Sequence, residues 1–307
     1  MRAGKPGGIR RAIKGTRAAV PKYTREMIAS VRERKHSHVV SDPAAGLAEL
    51  VRCDLGAFWI GHATVLLRVG GLNVLTDPVF SRRIGVRVGG VTLGVARVRP
   101  PAADVDHLPR IDLVMLSHAH FDHLDRPSLR RLAAGAGRGA TVITAEHTRK
   151  LIPPGFGEII ELPWSGSASV GGVAIRAMQP EHWGARTALD RHRRFNSYLL
   201  ESGGSRVLFA GDTAHTHAFD ALAGAGGVDL AVFGIGAYDP WIHAHATPEQ
   251  VWAMFLAMKA DYLLPIHHST FPALSGTPEA FDSELRKQTP NIRCQVLAPG
   301  ESFEVSV

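Results

Sequence analysis

The sequence predicts an α/β (α+β) protein in which two packed β-sheets are flanked by helices. Two observations carry this. From residue 58 onward, strand-length apolar runs recur, and only two segments between them have helical periodicity. The chain is 307 residues long and 45% apolar, enough for one large domain with a full core or for two small ones.

Taken in order, residues 58–69 and 72–75 read as strands. Residues 81–99 are rich in Gly and Arg, show no periodicity and end at Pro100-Pro101, so they read as a long loop that is either a substrate-facing flap or mobile. Strands follow at 111–116, 141–144 and 158–162. The first helix, 127–136, places Leu129, Leu132, Ala133 and Ala136 at i, i+3, i+4 and i+7. Further strands are expected at 173–178, 197–201, 207–210, 230–235, 262–266 and 295–298. The second helix, 248–258, has Thr247 as N-cap. From Asp54 on no linker interrupts the pattern, so residues 54–307 read as one domain and 1–53 as a basic arm, partly helical or disordered.

The charge is concentrated in that arm. Residues 1–40 hold 11 Lys or Arg against Glu26 and Glu33, a balance of +9, whereas the whole chain carries +7, leaving −2 for the other 267 residues. On a helical wheel Arg10, Arg11, Lys14 and Arg17 share one arc and Ile9, Ile13 and Val20 another. That suits a helix on an anionic membrane surface, and a solvated arm is the competing reading. Nucleic acid is not expected as a partner, because only Tyr23 interleaves the charges as a stacking residue. No apolar window is long enough to span a bilayer, and Arg10-Arg11 is followed by no apolar stretch of a signal peptide. The expected location is cytoplasmic, with peripheral contact at the inner face of the membrane through residues 1–40. Cys53 and Cys294 have no framework spacing and are expected to be buried free thiols.

The chemistry is concentrated in His118-Ala119-His120-Phe121-Asp122-His123, directly after an apolar run. His118 and His120, two apart at a strand end, project to one side, while Asp122 and His123 sit where the chain turns. Imidazole with carboxylate suits zinc, with iron or manganese also accepted. Two metals need more ligands. His182, Asp212 and His267 each follow a strand-like run, and ligands gathered at strand ends converge on one rim of a sheet. The set is then His118, His120 and His182 for one ion, Asp122, His123 and His267 for the other, and Asp212 between them.

The unbroken His-x-His-x-Asp-His motif resembles the signature of the metallo-β-lactamase superfamily. Further segments are similar to the branch that contains N-acyl-phosphatidylethanolamine-hydrolysing phospholipase D. They are 58–64, 75–80, 179–183, 209–213, 235–240 and 266–267. The resemblance implies a four-layer αββα sandwich with two zinc ions on one edge. It further implies a phosphodiesterase that cuts a glycerophospholipid headgroup bond through a hydroxide held between the metals. His268-Ser269-Thr270-Phe271 and Ala214-His215-Thr216-His217 depart from the family pattern in segments expected to line the pocket, so a lactonase acting on a phosphorylated or other small lactone is the alternative. A nucleic-acid phosphodiesterase ranks below it.

Other residues have assigned roles. Asp212 is catalytic as the bridge. His245 matches a family position near the substrate, where it binds phosphate or protonates the leaving alkoxide, against the reading of a surface His at a helix entry. Asp77, in Thr76-Asp77-Pro78, is either an acceptor that orients a ligand imidazole or a simple Asp-Pro turn. His62 serves the pocket or satisfies buried backbone, and Tyr238 is a further pocket candidate.

Overall fold

The computed structural model describes residues 43–187, 189–235, 242–271, 294–295 and 297–305. Two sheets stack face to face. The first has the order β15-β1-β2-β3-β6-β7-β8, with β1 (Leu55–Gly61), β2 (Thr64–Val69), β3 (Leu72–Thr76), β6 (Leu113–Leu116), β7 (Thr141–Ala145), β8 (Ile159–Leu162) and β15 (Ser302–Glu304). The second has the order β14-β13-β12-β11-β10-β9, with β9 (Ser167–Val170), β10 (Val173–Met178), β11 (Ser197–Ser202), β12 (Ser205–Phe209), β13 (Val228–Gly234) and β14 (Ala260–Ile266). In each sheet a meander of antiparallel strands passes into a parallel run, β3-β6-β7-β8 and β12-β13-β14.

Among the described residues three α-helices cover the outside: α1 (Pro43–Leu50), α2 (Arg126–Ala134) and α3 (Pro248–Ala257). The core accordingly comes in three layers. Between the sheets, Ala57, Trp59, Val65, Leu67 and Met115 meet Ile175, Tyr198, Val207, Phe209 and Val232. Outside the first sheet, Phe58, Ile60, Leu66 and Val114 pack with Leu50 of α1 and with Leu129 and Leu132 of α2. Outside the second, Leu199, Leu208, Ala231 and Phe233 pack with Val251, Met254 and Phe255 of α3. Neighbours such as Phe58 and Trp59, or Val207 and Leu208, point to opposite faces and both are buried, which is why these strands read as unbroken apolar runs. The architecture is the αββα sandwich expected.

The turns explain several differences from expectation. Residues 58–69 are two strands, divided at His62-Ala63, where Gly61 adopts a positive φ and the register shifts. The stretch 81–99 is no irregular loop: β4 (Arg83–Val88) and β5 (Val91–Ala96) form a two-stranded hairpin. Its turn, Gly89-Gly90, has φ of 54° and 85°, the doubly positive pair that a two-residue type I′ connection requires. The same Gly-Gly turn joins β2 to β3, β9 to β10 and β11 to β12. The alternation of β4 and β5 is obscured because Gly85 and Gly94 face each other across the pair. Near the C-terminus the described residues of the expected strand 295–298 (295, 297 and 298) are not in a strand, and an isolated bridge joins the adjacent Cys294 to Leu263. The paired strand lies further on, at β15 beside β1. Cys53 is buried, as expected, Cys294 is half-buried, and the two are not joined in a disulfide.

The basic arm of residues 1–40 and Tyr238 lie outside the described residues. Among those described, no helix is long and apolar enough to cross a membrane.

Candidate metal centre

The chemistry-bearing residues follow strand ends along one rim. His118, His120, Asp122 and His123 leave β6, His182 follows β10, Asp212 follows β12 and His267 follows β14. The two sheet edges come close enough here that a Cβ on Gly211 would lie 2.8 Å from Ser117 Cβ, and Gly211 has φ +59°, so glycine is required beside Asp212. Three non-glycine residues of the rim, His62 (φ 56°), Asp77 (φ 31°) and His267 (φ 63°), also take left-handed backbone. Tertiary contacts hold these conformations: His62 N–H donates to Thr270 Oγ1 at 2.8 Å, His267 N–H to the His62 carbonyl at 3.0 Å, and Thr64 Oγ1–H to the Asp77 carbonyl at 2.8 Å.

The predicted ligands fall into two groups that share Asp212. His118 Nε2, His120 Nδ1 and His182 Nε2 converge, with 2.7 Å between the first two and 3.4 Å between the last two. Asp212 Oδ2 lies 3.7 Å from both His118 Nε2 and His182 Nε2. In the second group His123 Nε2 lies 3.0 Å from Asp212 Oδ2 and 3.6 Å from Asp122 Oδ2. His267 Nε2 lies 3.5 Å from Asp122 Oδ2 and 3.4 Å from Asp212 Oδ1. Four donors about 2.0–2.1 Å from one tetrahedral zinc are separated by about 3.3 Å, and the separations of 2.7 to 3.7 Å fit such ligand sets. The donor atoms support the same fit: His123 Nε2, His267 Nε2 and Asp212 Oδ1 are buried and make no hydrogen bond.

Behind the rings, the other nitrogens are tied down. His182 Nδ1–H donates to the Ala244 carbonyl at 2.9 Å and His123 Nδ1–H to Asp77 Oδ2 at 2.7 Å. Ser117 Oγ–H also donates to Asp77 Oδ2, at 2.5 Å, so its lone pair is left to accept His118 Nδ1–H at 2.8 Å. Asp77, fully buried and also receiving Ser117 N–H at 2.7 Å, therefore orients one imidazole of each group. It is an acceptor within the site rather than a simple turn residue.

Protonation states suit cation binding. Burial lowers the pKa of His118 and His182 well below the ordinary value and that of His120 to about 4, leaving neutral imidazoles. Asp122 and Asp212 are buried, which opposes ionisation, yet His123 and neighbouring imidazoles hold both well below the usual carboxylate range. Burial also opposes charge on His123, but Asp212, Asp122 and Asp77 outweigh it and raise its pKa, so a metal would displace that proton.

His245 Nδ1 lies 3.9 Å from Asp212 Oδ2, and burial lowers its pKa to about 4. His62 Nε2 is 3.1 Å from Asp122 Oδ2, which makes it a hydrogen-bond partner of the second group. Trp183 packs on both His182 and His120, with ring centroids 4.6 and 4.9 Å away, and walls the first group. Two residues escaped the sequence reading. Ser117 adjoins the motif and could have been flagged by that adjacency. Arg186 sits in an aperiodic stretch: its Nη1 donates to the carbonyls of Ala119 and Leu124 at 2.9 and 2.7 Å, and its guanidinium lies 3.9 Å over the Phe121 ring. It thereby clamps both ends of the ligand loop.

The beta-lactamase superfamily domain matches residues 72–268, from β3 to just past His267. The chain belongs to that superfamily. Within it, the chain is 32% identical to an uncharacterized protein of Mycobacterium tuberculosis, over 76% of this chain and 66% of that protein's length. It is 29% identical to N-acyl-phosphatidylethanolamine-hydrolyzing phospholipase D 1 of Caenorhabditis elegans, over 82% of this chain and 76% of the relative. Among solved structures, a metallo hydrolase of Ignicoccus hospitalis superposes with TM-score 0.62 at 20% identity, covering 82% of this chain and 99% of that one. This superfamily member thus has the fold of such proteins, with its His and Asp residues on the rim between the sheets.

Proposed function

We propose that this metal-dependent hydrolase of the beta-lactamase superfamily is a dinuclear zinc phosphodiesterase of the N-acyl-phosphatidylethanolamine phospholipase D type. The observation that carries the metal half of this reading is the convergence of ligand atoms: those of His118, His120, His182 and Asp212 lie within 4.8 Å of one another, as do those of Asp122, His123 and His267 with His62 beside them, and Asp212 also lies 3.0 Å from His123 and 3.4 Å from His267. The lipid half is supported by the nematode relative and by a mitochondrial phospholipase of the same name from Saccharomyces cerevisiae, 28% identical over 73% of this chain and 49% of that protein. Peripheral membrane contact through residues 1–40 belongs to the same reading.

His118, His120 and His182 would hold one ion and Asp122, His123 and His267 the other, with Asp212 shared. When bound, zinc supplies an ionised water at neutral pH and stabilises charge developing on a phosphoryl oxygen. The chain's own groups do the rest. Asp77 fixes the tautomers of His123 directly and of His118 through Ser117, keeping both Nε2 lone pairs aimed inward. Neutral at pH 7, His245 offers one N–H to a phosphoryl oxygen and carries no second proton for the departing alkoxide.

The test is a product assay on purified protein against an N-acyl phospholipid, a simple phosphodiester and a phosphorylated lactone in parallel. Release of phosphatidic acid from the lipid is expected, with His245→Ala losing about 10²-fold or more in rate while keeping its zinc. Efficient lactone opening with every phosphodiester untouched would establish a lactonase instead.

A further inference from the structure

The β4–β5 hairpin has no part in the metal chemistry, yet it carries most of the chain's visible apolar exposure. Of seven large hydrophobic residues exposed among the described residues, four are Val86, Val88, Val91 and Leu93, each more than half exposed at 53%, 59%, 62% and 57%. They form one stripe. The register pairs Val86 with Leu93 and Val88 with Val91, and period-two alternation puts these pairs on the same face as Ile84 and its partner Val95.

That stripe begins at the metal centre. Ile84 and Val95 are buried in a small cluster with Val79 and Phe271, against which Phe121 of the ligand motif packs. Phe271 in turn meets the His62 ring edge-on at 5.0 Å. An apolar track therefore runs from the rim of the site, along one face of the hairpin, to a tip in solvent. The charge within the hairpin segment itself is of one sign. Arg87 is exposed on the opposite face of the hairpin, and Arg82 and Arg99 are exposed at its base. No Asp or Glu occurs between Asp77 and Asp104.

We infer that the β4–β5 hairpin is an interfacial anchor that seats its Val86, Val88, Val91 and Leu93 face in the headgroup and acyl boundary of an anionic phospholipid bilayer. Exposed apolar side chains bordered by arginines match that surface in both polarity and charge. A soluble partner of neutral or basic surface would leave the arginines without counterpart. The inference rests on the lipid phosphodiesterase reading for its purpose, since a hairpin seated in this way would bring headgroups to the rim beside His62.

The experiment uses the full chain carrying Val91→Cys labelled with an environment-sensitive fluorophore. Leu256→Cys, on an exposed position of α3, is the control, and the unsubstituted protein taken through the same labelling gives the background. On vesicles of phosphatidylcholine with phosphatidylglycerol, the label at 91 should shift to the blue and brighten, with the effect weakened by salt and by omitting phosphatidylglycerol. The label at 256 should not respond. No shift at 91, or an equal shift at 256, overturns the proposal. In a second arm, Val88→Asp with Leu93→Asp should lower vesicle affinity by more than about tenfold. Its elution volume on size exclusion and its rate on a small soluble phosphodiester should stay unchanged. Later elution would mean that a second copy covers the stripe, and a lost soluble rate that the hairpin is a substrate flap, and either result rejects the lipid assignment. Vesicle binding is read without turnover, so failure of the phosphodiesterase reading and failure of the hairpin proposal are separable.

Discussion

Replacing Asp77 by Asn probes the site without altering its shape. Asn tolerates the left-handed backbone at this position, where φ is 31°, and its Oδ1 can still accept Ser117 N–H. The amide NH₂, however, would take the place of Oδ2, which now accepts both Ser117 Oγ–H and His123 Nδ1–H. His123 then loses its acceptor. The Ser117 hydroxyl can rotate to accept from the amide, but its proton then points at His118 Nδ1 and drives the His118 proton to Nε2, toward the other ligands. One orienting partner is worth about 10–100-fold in metal affinity. Asp77 serves two rings, so a loss near the upper end, about 100-fold, is expected. For the metal-free fold, one buried charge-assisted bond lost costs about 1.5–3 kcal/mol. Competition against a chromophoric chelator measures the first quantity and denaturant unfolding after metal removal the second. Affinity within about threefold of the parent, far inside that range, would refute the claim that Asp77 sets the tautomers.

Other expectations follow from the same geometry. Arg186→Met removes the donor shared by the Ala119 and Leu124 carbonyls and should cost about 2–4 kcal/mol with weakened metal retention; Arg186→Lys, which keeps the charge but not the planar guanidinium stacked on Phe121, should recover little. Thermal unfolding and metal retention of both variants check this. Burial lowers His268, which packs on Trp59, to about 4. The unfolded chain, titrating near 6.5, takes up this proton first, so stability present above pH 6.5 is lost as pH falls toward 4. The contribution of His268 is on the order of 3 kcal/mol. A metal-free thermal midpoint that stays flat from pH 7 to pH 4 would contradict it, and His268→Gln should flatten the profile in part.

The sandwich was legible where both faces of a strand are buried. Val207, Leu208 and Phe209 make an unbroken apolar run because Val207 and Phe209 enter the core between the sheets and Leu208 the core under α3. The β4–β5 hairpin was not legible by alternation, since Gly85 and Gly94 interrupt it and its outer half is exposed. The signal that could have found it is Val88-Gly89-Gly90-Val91, the same two-glycine turn that sits between β9 and β10. Strands β9 and β15 are short and partly polar, Ser-Ala-Ser-Val and Ser-Phe-Glu, and owe their state to the neighbours they pair with. At the site, the His-x-His-x-Asp-His motif and the strand-end positions of His182, Asp212 and His267 announced the convergence. The contacts of Arg186 with backbone carbonyls more than 60 residues away depend on tertiary placement that no local pattern encodes.

Two metal ions sharing one carboxylate are the centre of the proposed function. Elemental analysis by inductively coupled plasma mass spectrometry, on a preparation whose hydrolytic rate is measured in the same sample, tests this most directly. Two residue groups that both approach Asp212 predict close to two zinc ions per chain, and Asp212→Ala should abolish hydrolysis and loosen both ions. One ion per chain in a fully active preparation would contradict the dinuclear centre.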